Sequence, residues 1–162
     1  MVLFEQYHPI LTPHYTLDWL TEFDLMKVHQ ARLGLNHYAA SGLTEPTIQQ
    51  TANFVNQTMH DIMTEKELTW GIKTRSDNFF VGMVSLMAIT KTSAELRFML
   101  FNESEIDQHQ EIITRVIDLA FHQLGLINLT ADANQTTLLG QRLLLACGFI
   151  KDNDRFTLKK LP

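Results

Sequence analysis

The sequence predicts a mixed α/β (α+β) fold: a mostly antiparallel sheet of six to seven strands with about four helices on both faces. Three observations predict it. Apolar segments with strand character stand at 14–20, 68–74, 79–89, 94–101 and 127–132. Helical spacing of apolar residues marks four further stretches between and after them. The order of the two kinds, β-α-α-β-β-β-α-β-α and a closing hairpin, makes the sheet mixed.

Taken in order, HYTLDWL at 14–20 alternates Tyr15, Leu17 and Trp19 and reads as a strand. Thr21 is predicted to cap a helix running to about Leu33, with Phe23, Leu25 and Met26 on its apolar face. Residues 36–43, with Ser41 and Gly42, read as loop. Thr44 as N-cap and Pro46 in the first turn announce a second helix, on which Ile48, Ala52, Val55, Met59 and Ile62 recur at three- and four-residue spacing. LTWGIKT at 68–74 and FFVGMVSLMAI at 79–89 flank the turn RSDN, a hairpin, and a third strand covers 94–101. Ile112, Val116, Leu119, Ala120 and Leu124 mark a helix ended by Gly125. The short strand 127–132 follows; a helix separates it from the strand before, which favours a parallel pair. Thr136 or Thr137 caps the next helix, whose Leu138, Leu139, Leu143, Leu144 and Cys147 are apolar, and Gly148 ends it. Phe149 with 156–161 suggests the closing hairpin.

The chain of 162 residues is expected to form one domain, 1–162, large enough to bury a core. No apolar run reaches the roughly 18 residues of a membrane span, and MVLFEQYHPILTPH lacks the basic-then-apolar layout of a signal peptide. One cysteine, Cys147, excludes an internal disulfide and a cysteine zinc cluster and fits a reducing, cytoplasmic compartment. Seven histidines show no metal-ligand spacing, so no metal is expected. Eighteen acids against 13 bases give a net charge of −5, which argues against nucleic acid as a partner. The basic end, Lys151, Arg155, Lys159 and Lys160, is interrupted by Asp152 and Asp154 and reads as a solvated strand edge. A monomer and a homodimer are both compatible with the chain.

The order and spacing of several pieces resemble the GNAT superfamily of N-acetyltransferases, and within it the branch that acetylates ribosomal-protein amino termini. LDWLTEFDL at 17–25 is similar to the family's opening strand and helix start. WGIK at 70–73 with VGMVSL at 81–86 is similar to its central hairpin, and AELRFML at 94–100 to the strand before its cofactor loop. AFHQLGLINLTAD at 120–132 and LLLACGF at 143–149 resemble its helix-strand-helix close. The resemblance covers about residues 14–161.

It implies acetyl-CoA as co-substrate, a primary amine (small molecule or peptide) as acceptor, and two parallel strands that splay to hold the pantetheine arm. Those strands fall at about Phe98–Phe101, with Phe98, Met99 and Leu100 as cofactor contacts, and Ile127–Thr130. The pyrophosphate would sit on free amides at the following helix start, which the family builds from glycines. Here that turn reads FNESEIDQHQE, and no glycine occurs between Gly82 and Gly125. The family's two glycine positions fall at Glu105 and Asp107. A non-glycine residue held left-handed costs roughly 1 to 2 kcal/mol, and a nearby carboxylate about 1 to 3 kcal/mol more against a phosphate. Amides and side chains of Asp107, Gln108, His109 and Gln110 remain as donors. The family's asparagine and serine in its last long helix fall at Thr137 and Gly140, with Asn134 three residues early; Arg142 matches an arginine often found there. No tyrosine follows Phe149 to protonate a thiolate.

For the chemistry, Glu95 leads into the splay and is the candidate base. Alternation places Arg97 on the same side, which offers an ion pair as the plainer reading. His37 and Tyr38 would line the acceptor side by resemblance. Cys147, on an apolar helix face with no histidine near in sequence, reads as core packing rather than as a nucleophile. The expectation is acetyl transfer from acetyl-CoA to a primary amine, a protein N-terminus among the acceptors; the alternative is a catalytically degenerate binding module for a ligand or protein on the same fold.

Overall fold

The computed structural model describes residues 3–33, 45–100 and 106–162, with no side-chain description at 106 and 107. They fall into two compact units, Leu3–Met83 and Val84–Pro162.

The first unit carries strands β1 (Ile10–Leu11), β2 (Tyr15–Asp18), β3 (Leu68–Thr74) and the start of β4 (Phe80–Met87), hydrogen-bonded in that order. β2 pairs antiparallel with β3, Leu17 opposite Ile72 and Asp18 opposite Gly71. Tyr15 and Leu17 are buried in alternation, while Leu68 to Ile72 is buried without a break, the signature of a strand covered on both sides. Helix α1 is Leu25–Leu33 and α2 is Ile48–Met63. Thr47 Oγ1 accepts from Gln50 N–H at 3.1 Å and Gln50 Oε1 accepts from Thr47 N–H at 2.8 Å, a capping box that fixes where α2 starts. Val55 and Ile62 bury one face of α2; the two helices are tied by Thr51, whose hydroxyl lies 2.8 Å from His29 Nδ1 and accepts from Arg32 at 3.0 Å.

Three expectations are corrected in this unit. Residues 20–22 form a single tight turn, and α1 begins after Asp24, whose Oδ1 accepts from Met26 N–H at 2.9 Å; Asp24, not Thr21, is the cap. The buried side chain of α1 is Val28, and Met26 is half exposed. The N-cap of α2 is Thr47 rather than Thr44, three residues later.

The second unit continues β4 into β5 (Ser93–Leu100), β6 (Asn128–Asp132), β8 (Arg155–Lys159) and β7 (Ile150–Asp152), in that lateral order. β6–β8 and β8–β7 are antiparallel; β5–β6 is the parallel pair. The described residues form eight strands against the six to seven expected, the addition being the two-residue β1. Helix α3, Ile106–Asp118, buries Ile112, Ile113 and Val116 completely. At Leu119–Gln123 it widens into a π-type turn before Gly125, which takes the left-handed φ of +74° that ends the helix. Helix α4, Leu138–Ala146, buries Leu143 and Leu144; Leu138, expected on the apolar face, is 78% exposed because it lies outside the 143–144 stripe. Phe156 on β8, Leu129 on β6 and Leu96 on β5 complete this core.

Candidate active site

The feature that organises the second unit is where the parallel ladder stops. Its pairs are Ser93 with Asn128, Ala94 with Leu129 and Glu95 with Thr130. β5 then runs on to Leu100 and β6 to Asp132, and no further β5–β6 pair follows among the described residues. β6 meanwhile keeps its other neighbour, Ala131 opposite Phe156 and Asp132 opposite Arg155. Two adjacent strands therefore part at one point, leaving a cleft edged by β5 backbone groups with no β6 partner among the described residues. The cleft opens at Leu96–Leu100 and Ala131–Asp132; on the β6 side this lies just beyond the expected Ile127–Thr130, which form or precede the paired part.

Glu95 is the last paired residue, at the point of divergence. Its Oε1 lies 3.6 Å from Arg97 Nε, so the ion pair expected from alternation is formed, with both side chains partly solvated. Phe98 turns its ring toward the start of α4: a β-carbon built on Gly140 would lie 3.2 Å from Phe98 Cε2 and 3.2 Å from Thr137 Oγ1. Phe98 and Thr137 thus meet at Gly140. Thr137 is the N-cap of α4, its Oγ1 accepting from Gly140 N–H at 3.1 Å. Leu100 is buried, and Met99 lies on the Glu95 side of β5 by alternation.

The described part of α3 opens with Ile106, Asp107 and Gln108, whose amides stand in its first turn. The side chain of Gln108 is exposed and that of His109 is 1% exposed. Gln110 Nε2 donates to Ala146 O at 3.3 Å, tying α3 to α4. Asn134 is exposed in the turn after β6, its N–H donating to Asp132 Oδ1 at 2.9 Å. Arg142 is exposed on α4. His37 and Tyr38, and the side chain of Asp107, lie outside the described residues.

Cys147 meets Thr114 of α3 through a side-chain hydrogen bond; burial pushes its thiol up and that bond lowers it less, an environment for packing rather than nucleophilic attack. The described tyrosines, Tyr7 and Tyr15, are buried in the first unit. Among the described residues no group of three or more His, Cys, Asp or Glu is placed to hold a metal, and no helix is long and apolar enough to cross a membrane. What the sequence did not single out is the pairing of Phe98 with Gly140, since the only cue, a glycine in a first helical turn, names no partner.

The Acetyltransferase (GNAT) domain profile matches residues 13–150. The chain belongs to the GNAT acetyltransferase family. Among solved structures, this GNAT chain is similar to a Vibrio cholerae protein provisionally assigned as a ribosomal-protein-serine acetyltransferase, with a TM-score of 0.82 and 18% identity over 95% of this chain and 98% of that one. It is also similar to the Vibrio cholerae spermidine N-acetyltransferase solved with CoA and spermine, with a TM-score of 0.73 and 18% identity over 91% and 96% of the two chains. These carry the fold, and the first lies in the branch that the sequence resembles. Among curated proteins, YjcK of Bacillus subtilis (strain 168), provisionally an N-acetyltransferase, is 26% identical over 110 residues. That match takes in 65% of this chain and spans 61% of YjcK's length.

Proposed function

We propose that this GNAT chain transfers the acetyl group of acetyl-CoA to a primary amine. The observation that carries the reading is the parallel β5–β6 ladder ending at Glu95 and Thr130 while both strands continue. Unpaired β5 backbone groups in such a cleft suit the amides of a pantetheine arm, and Phe98 with Thr137 would flank it. The amides of Ile106 to Gln108 suit the pyrophosphate, helped by the helix dipole; the acidic, glycine-free sequence before them would weaken that end. That the Vibrio spermidine enzyme was solved with CoA and spermine supports the same pairing of ligands here.

In the reaction the amine nitrogen attacks the thioester carbonyl carbon, the carbon–sulfur bond breaks, and the thiolate leaves with coenzyme A. The amine's proton must go to a base. Glu95, at the apex of the cleft and oriented by Arg97, is assigned that role, directly or through one water. The proposed setting is cytoplasmic and the proposed acceptor a small molecule or a peptide.

Calorimetric titration with acetyl-CoA at low salt tests the reading. Dissociation near ~10 μM is expected if the cleft holds the arm. No heat up to about 1 mM, with no thermal stabilisation, would overturn it and leave a ligand- or protein-binding module on the fold. Glu95→Gln is then expected to lower kcat by roughly 10²-fold at unchanged KM for acetyl-CoA.

A further inference from the structure

We infer that the contact of Phe98 with Gly140 sets the opening of the parallel strands, making Gly140 a positioning residue for the thioester arm. The inference rests on the cofactor reading above. The β6 side of the cleft is held at several points. Thr136 Oγ1 donates to Asp132 O at 2.8 Å, and Gln141 Nε2 donates to Ala133 O at 3.2 Å and to Thr136 O at 3.3 Å. Ala133 N–H donates to Asp154 O at 2.8 Å, and Thr137 caps α4 through Gly140. The corner from the end of β6 into α4 is therefore a stiff, hydrogen-bonded block.

Beyond Glu95, β5 has no ladder to that block. It reaches the corner at Phe98, whose ring edge Cε2 stands 3.2 Å from where a β-carbon of Gly140 would lie. A β-carbon at 140 would sit 2.7 Å from Thr136 Cγ2 and 3.2 Å from Phe98 Cε2. The first distance is too short for any real pair, and Thr136 is fixed by its hydroxyl's bond to Asp132. The displacement must pass into α4's first turn and the ring, and through the ring into the free run of β5. The glycine costs helix propensity against alanine; a methyl there would meet Thr136 Cγ2 first and the Phe98 ring next. The separation of the strands is thus fixed by the thickness of an aromatic ring on a bare helix backbone.

The test compares wild type, G140A, F98L and the double variant by calorimetry with acetyl-CoA and with CoA, alongside melting temperature. G140A is expected to raise both dissociation constants roughly ten-fold, as overpacking would. The double variant, with a slimmer side chain at 98, is expected to recover the part of that loss that passes through the ring, Thr136 keeping the rest, and no recovery overturns the inference. Propensity alone predicts the opposite for G140A: a higher melting temperature and unchanged binding, an outcome that overturns the inference. Should G140A not fold, F98L alone decides: unchanged affinity overturns the inference and a weakened one supports it. Wild type that binds neither ligand overturns the cofactor reading and the inference with it; wild type that binds, with every variant equal to it, overturns the inference alone.

Discussion

Gly71 offers the sharpest stability test in the first unit. It sits on β3 opposite Asp18 of β2, buried, and its φ is not left-handed, so any residue can adopt its backbone. A β-carbon there would lie 2.6 Å from Phe23 Cε2 and 3.0 Å from both Cδ2 and Cζ, so the ring lies flat over the glycine. Alanine would push the ring out by most of an ångström. The ring cannot slide freely, because it stands edge-on to Phe80 at 5.3 Å between centroids and carries the Lys73 ammonium at 5.9 Å. Overpacking of this kind costs roughly 1 to 3 kcal/mol, and losing the aromatic pair adds about 0.5 to 1.5 kcal/mol. Against this, alanine recovers roughly 0.5 to 1 kcal/mol of chain entropy. The balance is a destabilisation of about 1 to 3 kcal/mol, and Tm falls about 2 to 4 °C per kcal/mol in a chain this long. Urea unfolding of wild type, G71A, F23L and F23L/G71A measures it. In the double variant the cost of G71A should shrink by at least about 1 kcal/mol, because the clashing ring is gone. A G71A protein as stable as wild type, or an additive double variant, would refute the packing argument.

Cys147, its thiol raised by burial, should be alkylated slowly by iodoacetamide at neutral pH, and C147A should hold acetyl-CoA within about two-fold of wild type. Fast labelling together with loss of binding would reinstate it as a site residue. Asp77 in the β3–β4 turn has its carboxyl lowered, first by the hydrogen bond from Thr74 and also by the Phe79 N–H. A carboxyl lowered on folding stabilises above its unfolded value and loses that contribution as pH falls through its folded one. Acid titration of stability should therefore be flatter in D77N than in wild type, and parallel curves would contradict the turn's role. Glycines introduced at Glu105 and Asp107 should tighten acetyl-CoA about ten-fold while leaving S-acetylpantetheine unchanged. Equal effects on the two, or none, would show that the turn does not face the phosphates.

The sheet was legible where strand identity is a local matter. β3 has the bounds read from its aromatic and β-branched run, which is buried almost without a break, and β5 and β6 fall within a residue of theirs, where burial alternates along the strand. Helix starts were not. Thr21 and Asp24, or Thr44 and Thr47, are equally good caps in composition, and the choice depends on which one's oxygen meets an amide two or three residues on. β1, at two residues, is too short to show any periodicity, and the π-type turn at Leu119–Gln123 preserves the apolar spacing that made the whole stretch look like plain α-helix.

The site divides along the same line. Glu95 beside Arg97 followed from strand alternation, and the parallel pairing of 94–100 with 127–132 followed from the helix between them. Gly140 could be read from sequence only as a departure from the family's serine. The structure gives the departure a cause, because the volume that a side chain would fill is bounded by Thr136 Cγ2 and by Phe98, the latter distant in sequence. Family comparison at position 140 alone registers a loss, while the pair 98 and 140 registers an exchange of a polar contact for an aromatic spacer. The glycine-free sequence before α3 is a second departure, and on the cofactor reading it would act at the phosphate end. On the proposed cofactor reading the two departures would bear on different parts of one ligand, the Phe98–Gly140 contact on the arm and the missing glycines on the pyrophosphate. A chain altered in this way should draw more of its affinity from the pantetheine and acyl portion, and less from charge, than a family member with the glycine turn intact.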